Sequence, residues 1–250
     1  MARQAALPDR PRGDYGFDAP YVPIGLGLGG VALLALAILN AARGSVGGAI
    51  GSSVAAAWLL LSAASYVYTT RRGKFAVWAE ILSDLRLRGD ERLLDLGCGR
   101  GAVLLQAARP LPRGEAVGVD LWKTSDQSGN DPAATRRNAA AEGVADRVAL
   151  ETADTRALPF ADATFDVVVS SLAIHNIRAA PDRARAVAEA VRVLKPGGRV
   201  VIADIRAAAE YAEELRRLGL RDVALRPLGW RFWYGGPWAA ARLVSAEKPA

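Results

Sequence analysis

After a polar lead, the chain runs without a charged residue from Tyr21 to Ala42 and again from Gly44 to Thr70, with Arg43 and its neighbours between the two runs. Each run meets the roughly 20 residues that cross a bilayer as a helix, and so short a link forces an antiparallel hairpin with both flanks on one side. From Phe75 the pattern changes. Apolar residues recur at helical spacing to Leu87, and short apolar runs then alternate with amphipathic ones. Strands are predicted at Leu93 to Leu96, Glu115 to Asp120, Glu151 to Asp154, Phe165 to Ser170, Leu194 to Ile202, Asp222 to Leu228 and Ala241 to Lys248. Between them, helices are predicted from Arg100 to Arg109, from the Asp131 cap to Gly143, from Pro181 with Val187, Val191 and Leu194 on one face, and through Tyr211, Leu215 and Leu218 before Gly219. Alternating strands and helices make a parallel, doubly wound α/β sheet. Three segments follow: a polar N-terminal tail (1–20), a transmembrane hairpin (21–70) and a globular domain (71–250).

Charge orients the hairpin. Arg3, Arg10 and Arg12 precede it and Arg71, Arg72 and Lys74 follow it, against one Arg in the turn, so both ends are expected in the cytoplasm. Small residues four apart, Gly25 and Gly29, Gly44 and Gly48, Gly47 and Gly51, suit close helix packing. Trp58, Tyr66 and Tyr68 lie in the second run, the tyrosines near its cytoplasmic end. A cleaved signal peptide fits poorly, because the first run is long and starts behind about 20 polar residues. A buried hairpin would need a larger surrounding domain. The net charge of +6 is carried mostly by scattered Arg, which suits anionic headgroups better than nucleic acid. One Cys and one His leave no internal disulfide and no Cys/His metal cluster. Nothing in the sequence addresses oligomeric state.

The run Leu93-Leu94-Asp95-Leu96-Gly97-Cys98-Gly99-Arg100-Gly101 joins a buried strand, a glycine loop and a helix start. Glycines let such a loop approach a bulky ligand, and the helix behind it offers free N–H groups. The spacing is G-x-G-x-G, not the dinucleotide G-x-G-x-x-G, and the next strand ends in Asp120. With Glu151-Thr152-Ala153-Asp154, Phe165 to Ser170 and Leu194-Lys195-Pro196-Gly197-Gly198-Arg199 in order, the chain resembles the Rossmann-like (class I) methyltransferases that use S-adenosyl-L-methionine (SAM). The resemblance covers about the last 175 residues and implies a seven-stranded, mostly parallel sheet whose seventh strand runs antiparallel between the fifth and sixth. It implies that Gly97, Gly99 and Gly101 pass the methionine part of SAM, with Asp95 ordering the loop or the amino group. Asp120 would accept from the ribose hydroxyls and Asp154 from the adenine amine, with Leu121 and Trp122 covering the ring. Cys98, Thr155 and Ser170 lie inside these motifs and are counted as cofactor-binding candidates. Taken singly, Cys98 also reads as a small buried filler, and Asp120 and Asp154 as strand-end turn acids.

A sulfonium is already an excellent leaving group, so the protein has mainly to align nucleophile, methyl and sulfur and exclude water. A base is needed only for a protonated nucleophile. His175, in Ser170 to Ile177 after the fourth strand, either accepts that proton or caps the next helix. The loop from Trp230 to Trp238 carries five aromatics and reads as a packed cluster, a substrate wall or a wedge dipping into lipid. The hairpin favours a lipophilic small-molecule acceptor such as a quinone, a lipid headgroup or an isoprenoid. Leu158-Pro159-Phe160 and Leu194 to Gly198 resemble the quinone C-methyltransferases most. Small thiols and xenobiotics that partition into membranes are the alternative acceptors, and a SAM-binding membrane scaffold the non-enzymatic one. An arsenite methyltransferase would need several cysteines.

Overall fold

The computed structural model describes residues 11–250, so Arg3 and Arg10 of the first flank lie outside the described residues. Helices α1 (Tyr21–Ala42) and α2 (Val46–Tyr68) form an antiparallel hairpin, each long and apolar enough to cross a membrane by length and composition. The turn between them uses Gly44 at φ +75°, in the left-handed region. Their seam is narrow: Gly30, Ala37, Ala56 and Ser62 are buried, and a Cβ on Gly30 would lie 2.7 Å from Leu60. Gly29 abuts Leu59 and Gly48 abuts Asn40, but Gly25, Gly44, Gly47 and Gly51 face open space. The expected four-residue packing stripe therefore holds at two of its positions only. Gly47 and Gly51 share the outward face of α2 with Val54 and Trp58, which turns away from α1.

At Thr69–Gly73 the backbone passes through one π-helical turn straight into α3 (Lys74–Asp84). No loose linker separates hairpin from domain. Helix α3 stops short of the predicted Leu87 because Arg86 and Gly89 take positive φ. The sheet follows: β1 (Arg92–Leu96), α4 (Leu104–Ala108), β2 (Glu115–Asp120), α5 (Pro132–Glu142), β3 (Val148–Thr152), β4 (Phe165–Ser171), α6 (Ala180–Val193), β5 (Leu194–Asp204), α7 (Ala208–Arg217), β6 (Arg221–Pro227) and β7 (Arg242–Glu247). Strand order is β3-β2-β1-β4-β5-β7-β6, and β7 runs antiparallel between β5 and β6 as the resemblance implies. Two further elements differ from expectation. Helix α4 starts at Leu104 rather than Arg100, because Gly101 at φ +87° holds the preceding residues in a turn. Strand β3 ends at Thr152, because Asp154 begins a turn closed by the Ala157 N–H.

Alternation along the central strands feeds two cores. Leu93 packs on one face of the sheet with Trp78 and Phe232, whereas Leu94 and Leu96 pack on the other with Phe165 and Val187. Both faces are covered, which is why these strands read as continuous apolar runs. The described part of the N-terminal tail is a strap on the domain. The amides of Arg12 and Gly13 donate to Glu142, that of Asp14 donates to Asn138, and that of Phe17 to Ser128.

Candidate active site

The parallel strands end along one edge, where ligands bind in open α/β sheets. Strand β1 runs out into the glycine loop. Gly97 (φ +71°) packs directly under Ala173 and has no room for a Cβ, whereas a Cβ on Gly99 (φ +51°) would displace the side-chain amide of Gln127. Asp120 accepts from the Gly99 amide at 2.8 Å and from the Trp122 amide at 2.6 Å, and Asn130 reaches it at 3.2 Å. Trp122, Leu172 and Ala207, beyond the ends of β2, β4 and β5, hold φ of +57°, +56° and +55°. Such conformations cost about 1–3 kcal/mol each for a side-chain-bearing residue and concentrate at functional edges.

The predicted residues fall into two groups. Asp95, Gly97, Gly99, Gly101 and Asp120 converge on the loop. Asp95 is buried at its floor, and no hydrogen-bond donor is well placed for either oxygen. Burial pushes its carboxyl up to about 8, with the Leu104 amide opposing and the nearby Asp120 adding to the rise. A buried carboxyl whose one nearby donor, the Leu104 amide, is poorly aligned fits a ligand that brings its own ammonium group to the glycine cradle. Asp120 is half-buried at the mouth, a position suited to a diol. The second group is engaged by other partners or lies outside the loop. Cys98 packs against Gly118, and burial pushes its thiol up. Ser170 is fully buried and donates to the Leu96 carbonyl, tying β4 to β1. Asp154 is held by Arg156 at 2.6 Å, which lowers its carboxyl, and Arg156 also pairs with Asp182 at 3.0 Å. Thr155 lies half-buried beside this pair, and Leu121 is exposed.

His175 sits in a short turn after β4, and its Nδ1 lies 2.6 Å from a carboxylate oxygen of Asp204 at the end of β5. The ring N–H is off the line of a good hydrogen bond, but the contact fixes the ring and leaves Nε2 as its other polar atom. Asp204 is itself buried, and accepts from the amides of His175 and Ile205 and from the Tyr211 hydroxyl. Such an arrangement can orient a proton acceptor. Sequence reading missed Asp204, although its signal was there: like Asp120, it is an acid closing an apolar strand.

Also missed was Asp18, which the strap brings into the site. Its carboxylate accepts from Lys74 at 2.8 Å, from the Tyr234 hydroxyl at 2.8 Å and from Gln127 at 3.1 Å. Its carbonyl accepts from the Tyr66 hydroxyl at 2.9 Å. Gln127 in turn accepts from the Arg100 amide over the glycine loop. Arg100 pairs with Asp14 at 2.9 Å. These contacts join elements far apart in sequence, so no local pattern announces them. Of two open clefts, one of about 300 Å³ runs along β5, β6 and β7 beside α3 and the other lies at the opposite end of the strands, and neither holds any of these residues.

The methyltransferase domain family matches residues 94–202, from β1 to β5. A ubiquinone/menaquinone biosynthesis C-methyltransferase of Dinoroseobacter shibae is 38% identical over 131 residues, 52% of this chain and 49% of that protein. The 27-O-demethylrifamycin SV methyltransferase of Amycolatopsis mediterranei is 37% identical over 149 residues, 56% of this chain and 50% of that protein. The chain thus spans about half the length of the curated relatives it matches. A SAM-dependent methyltransferase from Aquifex aeolicus shares the fold, with TM-score 0.53 and 18% identity over 68% of this chain and 88% of that one. The family match takes in the glycine loop, Asp120, Asp154 and His175, and leaves out the strap, the hairpin and the loop between β6 and β7.

Proposed function

From a chain whose residues 94–202 match the methyltransferase domain family, we propose a SAM-dependent enzyme of class I that moves a methyl group to a lipophilic, quinone-type acceptor at a membrane holding α1 and α2. The globular domain then lies on the cytoplasmic side, with Arg71 and Arg72 at the headgroups. The observation that carries this reading is the Asp18 cluster: one carboxylate bonds to Lys74 at the foot of the hairpin and to Gln127 on the glycine loop. Hairpin and cofactor loop are two side chains apart.

SAM supplies the electrophilic methyl on its sulfonium. Asp95 would hold the amino group as a carboxylate, having released its proton to solvent, and Gly97, Gly99 and Gly101 would let the backbone close on the methionine part. Asp120 holds the ribose diol, exchanging the Trp122 amide or Asn130 for it. Asp154 contributes to the adenine end once Arg156 yields an oxygen. His175, steadied by Asp204, accepts the proton of a hydroxyl or activated ring carbon as the methyl transfers. The relatives include both a C- and an O-methyltransferase by name, and one base serves either acceptor.

The test has two arms. Alkaline carbonate should leave the full chain in the membrane pellet, and release into the supernatant would contradict insertion. Titration calorimetry in detergent should show SAM binding that His175→Asn retains and Asp120→Ala weakens; equal binding by Asp120→Ala would contradict the cofactor assignment.

A further inference from the structure

The loop between β6 and β7 leaves the sheet at the same edge as the glycine loop, and from Phe232 to Ala241 it carries ten consecutive uncharged residues. It does not fold back on the sheet for its whole length. Phe232 and Tyr234 are buried, but Trp230 and Trp238 are 60% and 59% exposed. Both exposed rings lie on the hairpin. Trp230 stacks on Tyr68 at 5.2 Å between centroids, and Trp238 meets Trp58 at 5.0 Å. Trp58 is ten residues before Tyr68, about 15 Å along the helix. The loop therefore climbs α2 to near the middle of an apolar span whose hydrocarbon layer is about 30 Å thick.

Irregular backbone at such depth must be satisfied by protein. The Trp233 carbonyl accepts from both Ser65 and Thr69, two hydroxyls of the hairpin's own surface. The loop closes its other bonds internally, from Phe232 to Gly229, Tyr234 to Ala239, Ala239 to Gly236 and Ala241 to Phe232. At its base, Arg231 pairs with Glu80 at 2.7 Å, and the Arg231 carbonyl abuts Gly73 so closely that no side chain fits there. Arg71, Arg72, Arg226 and Arg242 are exposed at this level, a cationic collar matched to lipid phosphates.

We infer that residues 232–240 are a second membrane-inserted element: a non-spanning aromatic wedge packed along α2, whose outward partner is the acyl layer of the bilayer. The inference rests on insertion of the hairpin and adds a depth to the globular domain, which is embedded rather than tethered above the surface.

The experiment uses the full chain in lipid nanodiscs, with single environment-sensitive NBD labels at Trp58→Cys, Trp230→Cys, Trp238→Cys and Asp162→Cys; the native Cys98 is buried and stays unlabelled. Labels at 58 and 238 should be quenched at least about twofold more by acyl-chain nitroxide lipids than by headgroup nitroxides, and the label at 230 in the reverse order. The label at 162 should respond to neither. A 238 label that behaves like 162 while 58 is quenched overturns the wedge and leaves the hairpin inserted. If 58 is also unquenched, insertion itself fails, and the wedge with it. Without labels, bromolipids should quench the wild-type chain more than Trp238→Phe; equal quenching would also count against the wedge.

Discussion

The hairpin and the sheet are built from the same apolar residues and dispose of them in opposite ways. Leu93, Leu94 and Leu96 of β1 are fully buried, whereas Leu28 of α1 and Leu61 of α2 are 68% and 70% exposed. A water-soluble unit gains by hiding such side chains, and a helix pair of this length gains by displaying them only where the solvent is lipid. The family match stops short of everything on the displaying side. On the proposed reading, the chemistry lies in the sheet's loops and the membrane address in the elements around them.

The largest test of that contrast is a matched pair of truncations. Leu94→Ala should cost about 2–5 kcal/mol in denaturant unfolding, as core cavities do. Leu28→Ala in detergent should stay within about 0.5 kcal/mol. Comparable losses would mean that α1 is packed against protein and not lipid. Next in size are the acid–base residues. His175→Asn should lower kcat about 100-fold. Asp204→Asn, acting through the ring, should lower it about tenfold with the KM for SAM unchanged. Full turnover by either variant would remove the pair from the mechanism. Asp120→Ala should weaken SAM binding at least about tenfold, the worth of bonds to a charged acceptor.

Asp95 gives a pH test of the buried side. Its native carboxyl rises from the ordinary 3.8 to about 8, so over that range the folded chain keeps a proton that the unfolded chain releases. Stability of the ligand-free protein should therefore fall as pH rises from 4 towards 8, and Asp95→Asn should flatten that slope. A slope unchanged in Asp95→Asn would place the pH dependence elsewhere. The smallest effect separates the two faces of the hairpin. Gly51→Ala, on the open face, should stabilise the helix by about 1 kcal/mol or less, whereas Gly30→Ala should destabilise it through Leu60.

How much was legible follows from how local each feature is. The bounds of β2 and the cap and end of α5 came straight from apolar runs, Asp131, Pro132 and Gly143, because those signals act within a few residues. The glycine loop was legible for the same reason. The resemblance assigns Asp154 to the adenine amine, and nothing in its neighbourhood along the chain shows that Arg156 holds it and also bridges to Asp182. The His175 and Asp204 contact joins two strand ends, and the Asp18 cluster joins the strap to Lys74, Gln127 and Tyr234. Such long-range pairs exist only once the sheet order is set. The aromatic loop was legible as unusual, but its seat on α2 depends on the π-helical turn that aims the hairpin at this edge.

The central claim, that SAM is used at a membrane-embedded edge on a lipophilic acceptor, is tested most directly by reconstituting the full chain in vesicles made from total lipid extract and adding methyl-labelled SAM. Label should appear in an organic-extractable small molecule, and His175→Asn and Asp120→Ala should reduce it. Label that stays in SAM, or enters only water-soluble product while the chain remains folded, would contradict the account.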